Sequence, residues 1–205
     1  GIPLTLALTF VAFAAGVALG LPIAIIRNAR IPIIGVAVRF IVDFFRTTPP
    51  LMHIVWAYYA LPVLANIRLD AFTVVSGALA CSSGAQMSEI FRGAIAAVPR
   101  GQWDAGQMVG LSYAQRLWWI ILPQSLRLVY APTCNALVSL LKQSSLAAVI
   151  ALPEIMNRGW VLAAQNFRPI EVLTTIALIY FVLTWPLVLF ASYLERRSGM
   201  AYQSD

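Results

Sequence analysis

The sequence predicts an all-α integral membrane protein with five membrane-spanning helices, an amphipathic interfacial helix and a short cytoplasmic helix. Of its 205 residues, 60% are apolar and only 11% are charged, and the mean hydropathy is +0.81. These values exclude an ordinary soluble domain. The apolar blocks are long and continuous, whereas the strands of a membrane barrel would alternate over about ten residues. No internal repeat or linker interrupts the chain, so residues 1–205 are expected to form a single transmembrane domain.

The first predicted span covers residues 1–26, which carry no charge and are followed by Arg27 and Arg30. At about 1.5 Å per residue, this run is long enough to cross roughly 30 Å of hydrocarbon. A cleaved signal peptide is the alternative, but such a peptide is shorter and carries its basic residues in front of the apolar run. A membrane-spanning helix is therefore the preferred interpretation.

An amphipathic helix is expected before the second span, in the stretch VRFIVDFFR. There Arg39, Asp43 and Arg46 recur at i, i+4 and i+7 on one face, with phenylalanine and aliphatic side chains around them. The prolines Pro49 and Pro50 would then bend the chain into the span. This pattern is typical of a helix that lies in the membrane interface.

Four further spans follow, with boundaries placed to within a few residues. They are predicted at residues 49–65, 71–91, 117–141 and 170–194. Between the last two, the stretch LAAVIALPEI is apolar but too short to cross the bilayer. Because irregular backbone at membrane depth must line a cavity or be buried in protein, we expect a re-entrant or gate-like segment there.

The distribution of basic residues orients these spans, because short loops rich in Lys and Arg stay in the cytoplasm. If the first span ends inside, the cytoplasmic side holds Arg27, Arg30, Arg39, Arg46, Arg92, Arg100, Arg116, Arg196 and Arg197. The opposite side then holds only Arg68, Lys142, Arg158 and Arg168. The N-terminus is therefore expected outside and the C-terminus in the cytoplasm. The same bias accounts for the net charge of +6, and no basic run with interleaved aromatics suggests a nucleic-acid partner.

The cytoplasmic loop, residues 93–116, is the least membrane-like part of the chain and is predicted to contain a short helix. Pro99 suits the first turn of this helix, and Gly110 is placed to end it. Small residues would let another protein approach the backbone, while Trp103 and Met108 offer large contact areas. This composition favours docking over catalysis. The alternative is an ordinary interfacial loop whose Trp103 lies among lipid headgroups.

Polar side chains inside the spans are candidates for a substrate pathway, because polar groups at membrane depth usually face a cavity or a partner. Ser82 and Ser83 lie one turn before Gln86 in the third span, and Asn135 lies in the fourth. His53, the only histidine, lies in the second span. A hydrogen-bonded structural histidine is the alternative interpretation of this residue.

Two further groups of charged residues in or near the spans are interpreted as structural. Glu89 and Arg92 are three residues apart and predict an ion pair at the cytoplasmic end of the third span. Arg127 lies more than two turns inside the fourth span, so it must extend to the cytoplasm or meet an acid.

A cluster of hydrogen-bond donors closes the fourth span at Lys142, Gln143, Ser144 and Ser145. An ammonium and hydroxyls suit the carboxylate of a zwitterion, so Lys142, Ser144 and Ser145 are further candidates for the pathway. The alternative is a structural role in which Lys142 pairs with Glu154 or with a lipid phosphate.

No catalytic or metal-binding constellation is present in the sequence. A membrane-embedded enzyme would need a nucleophile with a base, or a metal cluster, and one histidine supplies neither. Cys81 and Cys134 both fall within spans, where they are best interpreted as small apolar fillers. No catalytic residue and no metal ligand are therefore predicted.

The cytoplasmic loop resembles the "EAA" loop of ABC importer permeases, whose pattern is Glu-Ala-Ala, three residues, Gly, nine residues, Ile, one residue, Leu-Pro. The matching residues at the same spacing are Asp104, Ala105, Gly106, Gly110, Ile120, Leu122 and Pro123. Aspartate in place of glutamate and glycine in place of the second alanine are the two departures. The glycine weakens the helix by roughly 1 kcal/mol relative to alanine.

The resemblance extends over nearly the whole chain and narrows to permeases of the polar amino-acid uptake family. FRTTPPLMHIVWAYYALP is similar to the segment with which those permeases enter their second span. SEIFRGAIAAVPRGQWDAG resembles their approach to the EAA loop, and LLKQSSLAAVIALPEIM resembles the segment after their fourth span. FRPIEVLTTIALIYFVLTWPL is similar to their approach to the last span.

This resemblance implies the fold of a type I ABC importer permease in a bacterial inner membrane. It implies three kinds of partner besides the bilayer: a cytoplasmic ATPase dimer, an extracytoplasmic solute-binding protein and a second permease subunit, which is identical or related to this chain. ATP and Mg²⁺ would be bound by the ATPase, since this chain lacks the Gly-rich phosphate loop and carries no cofactor of its own. The ATPase-coupling residues would be Gly101, Trp103, Asp104, Ala105, Gly106, Met108, Gly110 and Leu111, with Pro123 in a structural role.

The implied function is import of a polar amino acid, or a similar small zwitterion, by alternating access. A stand-alone channel or secondary carrier is the alternative. It would need its own pathway, and five spans without an inverted-repeat pairing are few for one chain.

Overall fold

The computed structural model describes residues 1–28 and 32–197, and within these ranges the chain is built from helices joined by short connections, without strands. The helices are α1 (Ile2–Asn28), α2 (Pro32–Thr47), α3 (Pro50–Leu64), α4 (Ala71–Ala96), α5 (Arg100–Met108), α6 (Tyr113–Arg116), α7 (Leu122–Gln143), α8 (Ile155–Asn166) and α9 (Pro169–Arg197). A π-helical turn, Leu117–Ile121, joins α6 to α7, and a 3₁₀ helix, Ser144–Ile150, follows α7. The predicted all-α class is confirmed.

A helix covers most of each predicted span. Three helical runs among the described residues are long and apolar enough to cross a membrane, namely Ile2–Asn28, Tyr113–Ile150 and Pro169–Arg196. α3 is apolar but has only 15 residues. α4 has 26 residues but includes four serines, which lower its hydropathy. That α3 and α4 also span the membrane stays a prediction. The cytoplasmic placement of Arg30 and Arg197 stays a prediction too, because Arg30, the side chain of Arg197 and residues 198–205 lie outside the described part of the chain.

α4 lies at the centre of the bundle and contacts α1, α2, α3 and α7. Most of its residues between Val74 and Ile95 are buried. Because protein rather than lipid surrounds this helix, its serines can lie at membrane depth. Its first turn is capped by Asp70, which accepts hydrogen bonds from the Thr73 hydroxyl at 2.6 Å and the Thr73 N–H at 3.0 Å. These two hydrogen bonds lower the pKa of Asp70 below its ordinary value.

Glycines bring α1 and α4 into close contact. A Cβ on Gly16 would lie 2.7 Å from the Cβ of Ser83, and one on Gly20 would lie 2.9 Å from the backbone nitrogen of Ser88. No larger residue fits at either position without moving a helix. The packing therefore depends on small side chains, as is common where membrane helices meet.

α2 matches the amphipathic helix that the sequence predicts, although it starts earlier, at Pro32. Arg39 and Arg46 lie 3.8 and 3.9 Å from the two carboxylate oxygens of Asp43, on one face of the helix. Phe40 is 73% exposed, so an apolar surface is free beside these charges. The helix ends at Thr47, just before the two prolines that start α3.

Glu154 is completely buried where α1, α8 and α9 meet. Its carboxylate caps α8 by accepting from the backbone N–H groups of Met156 at 2.9 Å and Asn157 at 2.7 Å. The Tyr180 hydroxyl donates to it at 3.1 Å and the Thr5 hydroxyl at 3.5 Å. With these donors in place, the hypothesis that Glu154 pairs with Lys142 is wrong.

Lys142 itself is exposed near the end of α7. After it, the chain forms the 3₁₀ helix, whose Ala147 and Ile150 are buried among α1, α3 and α4. Ala151 then takes a left-handed conformation with φ 58°. The apolar segment expected to be irregular is therefore irregular and enclosed by protein; a gate-like role for it stays a prediction.

Candidate functional site

The short helix expected in the loop of residues 93–116 is α5, and its last turn has the geometry of a Schellman motif. The Gly110 N–H donates to the Gln107 carbonyl at 3.0 Å, and the Leu111 N–H donates to the Gly106 carbonyl at 3.1 Å. This motif needs a left-handed residue, and Gly110 has φ +79°. The prediction that Gly110 ends the helix is confirmed. Pro99 lies one position before the first turn, as the N-cap residue.

Arg116, at the end of α6, holds α5 in place. Its Nη1 donates to Oε1 of Gln107 at 2.8 Å and to the carbonyl of Trp103 at 3.3 Å. α6 is itself fixed by a capping box between Ser112 and Gln115. Since α6 continues through the π-helical turn into α7, α5 is connected to a long helix by polar contacts as well as by the chain.

Trp103 lies between α5 and the rest of the chain. Its ring stacks on Tyr113 with centroids 5.5 Å apart and an angle of 21° between the planes. It also packs against a buried cluster that includes Val98, Leu117 and Ile121. The indole therefore fixes α5 to the bundle, so only part of it is left for the docking contact that the sequence suggested.

The outer side of α5 is open. We call the exposed residues there the α5 surface, and they are Gly101, Asp104, Ala105, Met108 and Val109. Met108 is 88% exposed and Val109 is 74% exposed. Val109 was not among the coupling residues inferred from the sequence, because a residue after the last helical turn does not follow the helical periodicity.

Gly106 faces the opposite way and is buried. A Cβ there would lie 2.9 Å from both Cγ of Arg116 and Cδ1 of Ile120. The glycine found where the EAA pattern has alanine thus coincides with a close approach of α5 to the end of α6 and the π-helical turn. Leu111, after the helix, is half-buried.

A second feature is a cavity of about 340 Å³ between α2, α3, α4 and α7, which we call the polar cavity. Its polar lining consists of Arg46, Thr48, Ser82, Ser83, Gln86 and Gln143. Three of these, Ser82, Ser83 and Gln86, were candidates from the sequence. Gln143 was noted only as part of the donor cluster that closes the fourth span, and Arg46 and Thr48 were not candidates. The end of α2, the turn after it and the end of α7 are brought together only by the tertiary fold.

His53 lies beside the polar cavity and is buried. Its Nδ1 is 3.0 Å from Oγ of Ser82, while that hydroxyl donates to the Ala78 carbonyl at 3.2 Å. If the hydroxyl hydrogen goes to Ala78, Nδ1–H donates to Ser82; if it goes to Nδ1, the ring proton lies on Nε2. The imidazole also packs on Phe45, with centroids 4.8 Å apart. This arrangement agrees with the structural interpretation of His53.

The four other pathway candidates lie away from the polar cavity. Asn135 donates to Glu195 on α9 at 3.0 Å, and Lys142 is exposed. The hydroxyls of Ser144 and Ser145 donate to the carbonyls three residues earlier, at 2.6 and 2.7 Å. A part for these residues in transport stays a prediction.

Glu89 on α4 forms the expected ion pair with Arg92, whose Nη2 donates to Oε2 at 2.7 Å. Arg27 of α1 donates to the other oxygen, Oε1. Nη1 of Arg46 lies 3.5 Å from the same oxygen. One carboxylate therefore connects three arginines from three helices, next to the polar cavity.

Known proteins are similar to this chain in family, sequence and structure. The family described as "Binding-protein-dependent transport system inner membrane component" matches residues 7–199. The probable amino-acid ABC transporter permease protein YckA of Bacillus subtilis is 34% identical over 197 residues, covering 96% of this chain and 87% of that protein. The glutamine transport system permease protein GlnP of Escherichia coli is 31% identical over 198 residues, covering 96% and 90%.

Two solved structures are similar to this fold. A crystal structure of an amino acid ABC transporter with histidines has a TM-score of 0.87 and 32% identity, covering 94% of this chain and 90% of that one. An inward-facing structure of the MetNI methionine ABC transporter has a TM-score of 0.81 and 20% identity, covering 97% and 94%. At that identity, the second structure supports the fold alone.

Proposed function

Because the chain belongs to the family of binding-protein-dependent transport system inner membrane components, we propose that it moves a polar amino acid, or a similar small zwitterion, through the bacterial inner membrane. The chain is a permease subunit of an ABC importer, a transport component rather than an enzyme. A stand-alone channel or secondary carrier is not favoured, since the relatives at 34% and 31% identity are ABC transporter or transport-system permeases.

The proposed assembly contains two permease subunits, two cytoplasmic ATPases and an extracytoplasmic binding protein. ATP and Mg²⁺ belong to the ATPase in this proposal, because the sequence here has no Gly-x-x-x-x-Gly-Lys-Ser/Thr loop. The second permease is a second copy of this chain or a related one.

The observation that carries the proposal is the α5 surface. Met108 and Val109 are exposed at the end of a helix that the Schellman motif and Arg116 hold in one position. An ordered apolar surface of this kind suits a groove in a partner, because little side-chain and backbone freedom is lost on binding. We assign this groove to the ATPase, and α5 to the coupling helix.

The proposed topology has five spans, an outer N-terminus and a cytoplasmic C-terminus. It is supported by the C-terminal ends of α1 and α4, which lie together with α6: Arg27 contacts Glu89, and the Tyr113 hydroxyl donates to the Asn28 carbonyl at 3.3 Å. α5 is therefore at the arginine-rich end, which the positive-inside rule places in the cytoplasm.

The proposed mechanism is alternating access. When the ATPases close on ATP, α5 moves with them as a rigid body, and Arg116 with the π-helical turn passes this displacement to α7. α7 contributes Gln143 to the wall of the polar cavity, so its movement changes the pathway itself.

The test is purification of the full complex from a membrane in which the permease is tagged. We expect an ATPase subunit to co-purify with the wild-type chain. Met108→Asp should reduce the recovered ATPase by about tenfold, because a buried carboxylate would need a partner in the groove. The matched control is Ile67→Asp, a change of an exposed apolar residue in the turn between α3 and α4. Equal recovery from both variants would count against the coupling assignment.

A further inference from the structure

Arg46 is the only charged side chain among the described residues that line the polar cavity. Its Nη1 lies 3.5 Å from Glu89 and 3.9 Å from Asp43, and neither contact is a hydrogen bond. Arg27 and Arg92, in contrast, both donate hydrogen bonds to Glu89. The guanidinium of Arg46 thus keeps donors available for a group in the cavity.

The charge around Arg46 also favours an anion. Glu89 is in contact with three guanidinium groups, and even with Asp43 counted, the positive charges exceed the negative ones. The side chains of Arg27 and Glu89 are only 10% and 17% exposed, so water screens their charges less than at an open surface, whereas those of Arg46 and Arg92 are 45% and 42% exposed. A carboxylate beside Arg46 would offset the surplus charge and take the donors that Glu89 does not use.

Uncharged polar groups complete the cavity. Within the described part of the chain, the side chains of Ser83, Gln86 and Gln143 make no hydrogen bond, although all three line the cavity. The two amide oxygens can accept from an ammonium group, and the amide nitrogens and the hydroxyl can donate. The volume of about 340 Å³ lies at the small end of the range for small-molecule sites, roughly 300–1,000 Å³.

Among the described residues no carboxylate lines the cavity, and the nearby Glu89 already accepts from Arg27 and Arg92. A cationic side chain would therefore find Arg46 there and no free acid to pair with. We propose that Arg46 binds the α-carboxylate of the transported amino acid in the polar cavity, and that the cavity favours amino acids with an uncharged polar side chain over basic ones. This inference rests on the proposed importer function. It assigns the carboxylate to Arg46 rather than to Lys142, the candidate from the sequence.

The experiment uses the complex of permease and ATPase in lipid nanodiscs, without the binding protein, so that the permease alone selects the ligand. L-Glutamine, L-glutaminamide, in which an amide replaces the α-carboxylate, and L-arginine are titrated by calorimetry. L-Glutamine should bind at least about tenfold more tightly than either of the others, as expected for loss of a charge-assisted hydrogen bond. In Arg46→Gln, L-glutamine and L-glutaminamide should bind equally.

Two variants serve as controls. Arg39→Gln removes an arginine from the same helix that, among the described residues, forms an ion pair with Asp43 alone and does not line the cavity. This variant should keep the wild-type discrimination. Gln143→Leu removes an amide from the cavity. It should weaken the binding of L-glutamine while leaving the preference for L-glutamine over L-glutaminamide in place. If Arg46→Gln is recovered poorly, Arg46→Lys retains the charge and should retain most of the discrimination.

The inference is overturned if wild type binds L-glutaminamide or L-arginine as tightly as L-glutamine, or if Arg46→Gln still discriminates. ATP-driven uptake into proteoliposomes with the binding protein distinguishes a failure of the Arg46 assignment from a failure of the proposed importer function. Uptake by a complex that fails to discriminate contradicts only the role of Arg46. Absence of uptake by the complete wild-type system contradicts the proposed function.

Discussion

Nη1 of Arg116 donates a hydrogen bond to Oε1 of Gln107 over 2.8 Å, and so ties α6 to the last turn of α5. The same atom reaches the Trp103 carbonyl at 3.3 Å. One side chain thus fixes both the middle and the end of α5 against the helix that continues into the bundle. This contact is the place to test whether α5 transmits movement.

Replacing Arg116 by Leu removes both hydrogen bonds and leaves the rest of α5 intact. We expect ATP-driven uptake to fall by about tenfold, while ATP hydrolysis by the complex falls much less, because α5 would still dock but move independently of α7. The measurement is the number of ATP molecules hydrolysed per amino acid taken up. Arg127→Leu, at an exposed position on α7, is the control, and a similar ratio in both variants would argue against transmission through Arg116.

Replacing Gly110 or Gly101 by alanine should change the stability of α5 in opposite directions. Gly110 has φ +79°, where a Cβ costs about 1–2 kcal/mol. Gly101 lies within α5 with open space around it, so alanine there should stabilise the helix by about 0.5–1 kcal/mol. Hydrogen exchange of the peptide that covers residues 100–111 measures both effects. Faster exchange in Gly110→Ala and slower exchange in Gly101→Ala are expected; the same sign in both would contradict the Schellman geometry.

Because α1 and α4 are in close contact, adding a single methyl group at Gly20 should lower the unfolding free energy. Gly20→Ala places a Cβ 2.9 Å from the backbone nitrogen of Ser88, which cannot move without its helix. We expect a loss of about 1–3 kcal/mol in unfolding free energy. Gly77→Ala, on α4 with nothing within 4 Å, is the control and should not destabilise the protein. Denaturant unfolding in detergent compares the two, and equal stabilities would show that the helices are further apart.

Replacing the buried Glu154 by alanine should destabilise the protein more than replacing the exposed Glu171. Glu154→Ala removes the cap of α8 and leaves the Tyr180 hydroxyl without its acceptor, so a loss of about 2–4 kcal/mol is expected. Glu171→Ala removes an exposed carboxylate that lies 3.5 Å from Arg168, and such pairs contribute about 1 kcal/mol or less. Thermal unfolding of the purified variants measures the difference. A Glu154 variant as stable as the Glu171 variant would show that Glu154 does not hold the three helices together.

The sequence was sufficient where local signals decide the structure. Long apolar runs located the helices, and the spacing from Pro99 to Gly110 located α5, because capping and the left-handed glycine are properties of neighbouring residues. The pair of Glu89 and Arg92 was predictable for the same reason, since three residues separate them along one helix.

The sequence was insufficient where distant parts of the chain meet. Arg27 lies 62 residues from Glu89, and no periodicity connects them. Glu154 was assigned to Lys142 as one alternative, because opposite charges near each other in the sequence suggest a pair. In the structure it satisfies backbone N–H groups and hydroxyls from three helices instead. Arg46 was interpreted only as part of an amphipathic face, since one helix gives no information about the cavity at its end.

The contacts of Glu154 constrain how the chain is made. Thr5 emerges from the ribosome long before Glu154, and the Tyr180 hydroxyl follows only later. Until α9 has been made, the carboxylate has its donors from α1 and α8 but lacks the Tyr180 hydroxyl. The full set of contacts around Glu154 therefore forms only after α9 has been synthesised, so the last helix completes a site that the first helix begins.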